Sequence, residues 1–250
     1  EAGWAVTFDC YPYPYSGKLV AIGRPHGAKD GGPERLMAAL QDADDRARMK
    51  REISRDRLEN NWLTNFTQPQ NRQYDGKLLT DIADMRNQDP VDALFDLLVE
   101  ENLGISTVGL GTNPHTLWAF VSHPMGMIAS DAILFGEYPN PRTYGCFPIV
   151  LAEFVRAEKH LSLPEAIRKM TSFLAQRLGI PDRGLLRDGF KADIVLFNPD
   201  TVKTHATKED PKHYPVGIDY VIVNGRVVID QGENTGALPG RGLRRGRSST

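Results

Sequence analysis

Apolar and polar positions switch between two periods along this chain, and the switches mark its elements. Trp4 to Cys10 is rich in β-branched and aromatic residues and reads as a strand. It runs into Tyr11-Pro12-Tyr13-Pro14-Tyr15, where the prolines predict that ladder bonding stops. Gly23 to Pro33, with four glycines and two prolines, reads as a loop. From Glu34 to about Arg57 the pattern is helical, with Leu36, Met37 and Leu40 on one face. Trp62, Leu63 and Phe66 lie among polar residues between Asn60 and Tyr74, an irregular strand, and Thr80 to Met85 is a short helix. Asp89-Pro90 supplies a capping residue and a proline suited to the first helical position, and Val91, Leu94, Phe95 and Leu98 then recur at helical spacing. Ser106 to Leu110 is a small strand, and Asn113-Pro114 opens a helix that stops at His123-Pro124.

Met125 to Ala129 is apolar without alternation, as in a parallel strand buried on both faces, and it ends in Ser130-Asp131. Phe147 to Lys159 is amphipathic. Ser162-Leu163-Pro164-Glu165 has the form of a capping box, with Ala166, Ile167 and Met170 facing inward, and Thr171 or Ser172 caps a further helix ending at Gly179. From about residue 181 the pattern becomes β: Asp193 to Phe197, Asp219 to Val223, a type I′ turn at Asn224-Gly225, and Arg226 to Ile229.

Composition narrows the partners. The 250 residues are 40% hydrophobic and 25% charged with a net charge of −2, which fits a globular core and points to neither nucleic acid nor an acidic membrane. The exception is a tail with Arg241, Arg244, Arg245 and Arg247, read as a solvated terminus rather than a phosphate-binding arm. Two cysteines, Cys10 and Cys146, make no disulfide framework, so a reducing, cytoplasmic setting is expected. No apolar stretch approaches the ~20 residues that span a bilayer. The first residues resemble neither a signal peptide nor a Met-initiated start.

Chemistry concentrates between residues 126 and 145. A carboxylate where a buried parallel strand emerges stands at the sheet edge that α/β proteins use for catalysis, so Asp131 is expected to be a general base or metal ligand. Arg142 offers a planar fork for a carboxylate in the same cavity. The tyrosines from Tyr11 to Tyr15 could give phenol donors to a ligand or form a packed rim. His26 reads as an exposed loop residue. His115 and His123 bracket one helix; at ~1.5 Å rise per residue they lie more than ~10 Å apart, too far for one ion.

Taken together, several segments resemble the N-acyl-D-amino-acid deacylases (D-aminoacylases) of the amidohydrolase superfamily. They are Phe8 to Gly17, Ser130-Asp131, PRTYGCFP at 141–148, LSLPEAIRKMTSFLAQRLGI at 161–180, DRGLLRDGFKADIVLFNPDTV at 182–202, and the ATKEDPKHYPVGI segment with the strands after it. The resemblance implies a zinc-dependent hydrolase of linear amide bonds, with a (β/α)8 barrel and a small β-sandwich. It also implies roles. Asp131 matches the aspartate ending the last barrel strand, which sits at the metal and moves a proton to the leaving amine. Arg142 matches the arginine that grips the substrate α-carboxylate, and Tyr11 the tyrosine that assists it. The stretch at about 18–110 matches an insertion over the mouth of the site.

Some features depart from the pattern. The family's H-x-H pair and other metal ligands are absent, and are expected upstream of this chain. The usual HPR reads Asn140-Pro141-Arg142, and the glycine after the aspartate is Ala132. The fold expected is therefore α/β. Residues 1–180 form the C-terminal part of a hydrolase barrel, with its last two strands and helices, and residues 181–250 form a small β-sandwich part and basic tail. The expected substrate is a small N-acyl-D-amino acid. A metal-free, inactive fragment or scaffold and a cyclic-amide hydrolase are the alternatives, and the isolated chain is expected to be inactive and unable to retain zinc.

Overall fold

The computed structural model describes residues 3, 6–19, 32–53, 58, 60–134 and 136–243. Trp4, His26, most of the loop from Gly23, the Arg57 end of the first predicted helix and the arginines from Arg244 lie outside the described residues.

Strand β1 (Phe8–Cys10) is followed at once by β2 (Tyr15–Leu19). This corrects the expected end of laddering. Past Pro14 no further proline intervenes, so pairing resumes at Tyr15 in a different sheet. Helices α1 (Gly32–Gln41) and α2 (Ala43–Glu52) replace the single predicted helix. Asp42 divides them: its backbone is extended, and its carboxylate accepts from the Asp44 and Asp45 amides as an N-cap. The stretch read as one irregular strand is β3 (Asn61–Thr64) and then a 3-10 helix, Pro69–Tyr74. Next come β4 (Lys77–Leu78), α3 (Leu79–Arg86), α4 (Pro90–Glu100) with Asp89 capping Val91, and β5 (Ser106–Leu110).

Strands β2, β5, β3 and β4 form one antiparallel sheet in that order. It closes a core of its own, in which Leu40, Leu63, Ile82, Leu94, Leu97 and Ile105 are essentially inaccessible. The stretch between β1 and α5 therefore has its own apolar packing.

Helix α5 (Pro114–Ser122) returns the chain to β6 (Gly126–Ile128), which pairs in parallel with β1, Phe8 opposite Gly126 and Cys10 opposite Ile128. Alternation along a strand assigns the two faces. Phe8 packs on Phe120 and His123, and Cys10 and Ile128 join a second core with Leu117, Val121, Val150 and Phe154. Asp9, on the opposite face of β1, is exposed.

The amphipathic helix starts earlier than its pattern suggested, at α6 (Arg142–Ile149), and continues as a π-helical stretch, Val150–Ala157. Gly145 and Pro148 conceal the helical signal of that first segment. In α7 (Leu163–Met170) the Ser162 hydroxyl caps the Glu165 amide at 3.3 Å, but the Glu165 carboxylate pairs with Arg168 instead of closing the box. Helix α8 (Ser172–Leu178) ends at Gly179, whose φ of +69° is the left-handed cap position.

Strands β7 (Ile194–Phe197), β8 (Ile218–Val223), β9 (Arg226–Asp230) and β10 (Glu233–Asn234) form a third, antiparallel sheet. Asn224 and Gly225 both have positive φ, +50° and +77°, as a type I′ turn requires. Residues 199–214 fasten this unit to the rest. Arg156 donates to the Pro199 carbonyl at 2.8 Å, Lys212 pairs with Glu137 at 2.6 Å, and the Lys208 ammonium lies 4.1 Å from the Trp62 ring centroid. Among the described residues, no helix is long and apolar enough to cross a membrane.

Candidate functional site

Strands β1 and β6 end side by side, the Ala129 amide still donating to the Cys10 carbonyl at 3.0 Å. Two residues later Asp131 adopts a left-handed backbone, φ +45°, which aspartate tolerates better than most side chains. This turn carries its carboxylate away from the strand axis and toward the first residue of α6.

That residue is Arg142. Its amide is held at 3.1 Å by the Asn140 side-chain oxygen, and the Asn140 amide group donates to the Tyr15 carbonyl at 3.3 Å. Asn140 thus ties the start of α6 to β2.

All three guanidinium nitrogens are engaged. Nε donates to the Asp131 carbonyl at 3.0 Å, Nη1 to the Tyr15 carbonyl at 3.1 Å, and Nη2 to Asp131 Oδ2 at 2.7 Å. The Tyr11 ring stacks on the guanidinium, 4.2 Å from centroid to carbon. The Arg142 side chain is 2% exposed and that of Asp131 65%.

Asp131, Arg142 and Tyr11 therefore meet, but the expectation of one shared cavity needs correction. Asp131 and Tyr11 line a cleft of about 720 Å³ with Asp9, Asn113 and Thr116. Arg142 lines another, of about 230 Å³, with Thr64, Thr107, Tyr138 and Asn140. The ion pair bridges the wall between them, because β2 and β5 stand on the far side of the guanidinium.

Of the groups that support the pair, Gly145, Thr204 and Lys169 carried no signal that the sequence reading used, and Tyr13 was read only among the tyrosines of a ligand site or packed rim. Tyr13 is buried, and burial pushes its phenol up to about 12. Its hydroxyl and that of Thr204 crowd Gly145: a methyl there would come within 2.2 Å of the first and 2.5 Å of the second. A glycine inside a helix is a standing hint of close approach, and Gly145 could have been flagged on that ground. Lys169, fully buried at the other end of β6, donates to the Gly126 carbonyl at 2.8 Å and to the His123 carbonyl; burial lowers its pKa.

Burial also raises both thiols, that of Cys146 to about 12, which disfavours thiolate at either. His115 packs edge-on against Trp118, and His123 Nδ1 accepts the Met125 amide. Among the described residues no group of three or more His, Cys, Asp or Glu side chains could hold a metal. Asp131, the one donor expected here, is committed to Arg142. The residues described do not by themselves fit a zinc site.

A sequence model of the amidohydrolase family matches residues 40–229. The chain belongs to that family. This amidohydrolase is 32% identical over 243 residues to an N-acyl-D-aspartate deacylase of Alcaligenes xylosoxydans xylosoxydans, a match covering 95% of the chain and 40% of the relative. A D-aminoacylase of the same organism is 42% identical over 119 residues, covering 48% and 25% respectively. Among solved structures, the N-acyl-D-glutamate deacylase of Bordetella bronchiseptica, complexed with zinc and a phosphonate inhibitor, superposes with a TM-score of 0.68 at 27% identity over 89% of the amidohydrolase chain and 39% of its own. A D-aminoacylase mutant in complex with copper chloride gives 0.72 at 26% identity, covering 96% and 43%. The amidohydrolase chain thus spans about two fifths of the length of the first of these relatives and of both solved structures. Metals occur in both solved structures.

Proposed function

We propose that this chain carries the carboxylate clamp and the proton-transferring aspartate of a hydrolase that cleaves the linear amide bond of N-acyl-D-amino acids. The observation that supports it most directly is the cluster of Asp131, Arg142 and Tyr11 where two paired parallel strands end. An N-acylated amino acid has one free carboxylate, and a buried guanidinium covered by a tyrosine ring suits it. Asp131, beside it and exposed to the larger cleft, would accept a proton and return it to the leaving amine. Relatives whose names specify N-acyl-D-aspartate, N-acyl-D-glutamate and D-amino acids favour this substrate class over cyclic amides.

The same reading takes β1 and β6, with α5 to α8, as the last two units of a (β/α)8 barrel. The stretch at about 18–110 is its insertion and residues 181–250 a sandwich part. The parallel pairing of β1 with β6 across some hundred residues supports it. Metal donors other than Asp131 would come from the part of the relatives' length that this chain does not match, and the isolated chain would have no turnover.

Titration of the chain with N-acetyl-D-alanine and N-acetyl-L-alanine, followed calorimetrically, tests the clamp. The D-enantiomer is expected to bind more tightly, and Arg142→Lys to weaken it about tenfold or more, since a point charge replaces a fixed fork. Equal binding of both enantiomers, or no effect of the lysine, would remove the reading.

A further inference from the structure

The partners of Arg142 are not equivalent. The Tyr15 carbonyl is fixed by the β2–β5 ladder, in which Tyr15 opposes Leu110. The Asp131 carbonyl belongs to the chain that leaves β6. Among its hydrogen-bond partners in the described residues, only the Asp131 carboxylate reaches the guanidinium through rotatable side-chain bonds, and it does so from a residue beyond the end of the strand. It faces the 720 Å³ cleft, so a solute entering there meets the carboxylate before the guanidinium behind it. An anionic ligand of Arg142 would need the Nη2 position that Asp131 Oδ2 holds at 2.7 Å.

We infer that Asp131 is an internal occupant of the Arg142 anion site, and that the carboxylate of an N-acylated amino acid takes its place by exchange. This rests on the reading of Arg142 as the substrate anchor. One carboxylate leaves Nη2 and another arrives. No covalent bond or proton is transferred, and the buried guanidinium is never left without a counter-charge, a state that would be costly at this burial. The tethers from Nη1 and Nε to backbone carbonyls keep the fork in place during the exchange. Its consequence is a linkage: capturing the substrate carboxylate releases the Asp131 carboxylate into the cleft, where a proton acceptor is needed. A ligand without a carboxylate leaves Asp131 paired, so the aspartate is freed only when a substrate of the right class is bound.

The exchange is tested by calorimetric titration with N-acetyl-D-alanine, and with its methyl ester as the uncharged control, on wild type, Asp131→Asn, Asp131→Gly and Arg142→Gln. Both Asp131 replacements suit a backbone at φ +45°, so at least one is expected to keep the fold. Removing the internal competitor is expected to tighten the acid roughly tenfold to a hundredfold, the range for a hydrogen bond to a charged group, with little change for the ester. Arg142→Gln is expected to lose acid binding. If Asp131→Asn and Asp131→Gly bind no tighter than wild type while Arg142→Gln still weakens binding, the exchange is wrong and the anchor stands. If Arg142→Gln binds as wild type does, the anchor is wrong and the exchange goes with it. Absence of saturable acid binding in both Asp131 variants also overturns the exchange.

Discussion

At the scale of single residues, this chain places charged groups where only dense hydrogen bonding makes burial tolerable. Arg142 is one case and Glu101 another. Glu101 is 4% exposed and accepts from the Thr67 amide at 2.8 Å, the Thr67 hydroxyl at 2.7 Å, the Gln68 amide at 3.2 Å and Asn71 Nδ2 at 2.9 Å. It caps, from a distant position in sequence, a 3-10 helix whose own N-cap residue makes no side-chain cap. Burial alone would raise its pKa, but these donors outweigh burial and hold the carboxyl below the ordinary 4.5. With the folded value depressed, its contribution to stability is present above pH 4.5 and is lost as pH falls through the folded-state value. Glu101→Gln is therefore expected to lower the unfolding free energy by about 2 kcal/mol at neutral pH. The gap to wild type should close in acid, as measured by urea unfolding at several pH values. A gap constant from neutral pH into acid would show that the charge is not what stabilises the cap. Nothing local in the sequence marks this role, because the donors lie thirty or more positions away.

At the scale of elements, local signals were legible wherever one residue dictates the geometry. Asp89-Pro90, Asn113-Pro114, Ser162 and Asn224-Gly225 were placed from sequence because caps and type I′ turns need those side chains or that φ. Asp42 has the same capping chemistry but sits inside a longer helical pattern, and periodicity hid it. The start of α6 was hidden by tertiary demand. Gly145 is there because Tyr13 and Thr204 occupy the space a Cβ would take, and neither is near it in sequence. Likewise the sequence pointed to Asp131 and Arg142, but their direct pairing and the two separate cavities depend on how β2 and β5 fold back. Gly145→Ala tests this coupling. The methyl would displace Tyr13 or Thr204 and with them the helix that begins with Arg142, at a cost of about 1–3 kcal/mol for overpacking. Thermal melts should show the loss, and binding of N-acetyl-D-alanine should weaken with it. Unchanged stability would mean that the two hydroxyls yield without strain, and that this glycine does not set the position of the clamp.

At the scale of the molecule, the three sheets are not equally finished. The β2–β5–β3–β4 sheet closes a dry core with its helices. The C-terminal sheet does not. Val195 and Leu196 are neighbours on β7 and so point to opposite faces, yet they are 52% and 46% exposed. Register pairs Val195 with Val221 and Leu196 with Tyr220, so apolar side chains stand on both faces of the sheet. Among the described residues the β1–β6 pair has one partner per strand, although parallel strands are ordinarily found in larger sheets covered on both sides. Exposed Val6, at 68%, and Phe120, at 49%, flank it. Uncovered strand edges and apolar faces of this kind bind other chains without selectivity. The isolated chain is therefore expected to bind a hydrophobic dye and to self-associate in light scattering. Co-expression with the part of the Alcaligenes N-acyl-D-aspartate deacylase that it does not match is expected to suppress both and to bring stoichiometric zinc into the purified complex. If the chain alone is monodisperse and binds no dye, these surfaces are covered within it, and two barrel units awaiting the remainder is the wrong description. If the co-expressed pair is soluble but metal-free, the faces are complementary while the donor set is not, and Asp131 does not belong to a metal site.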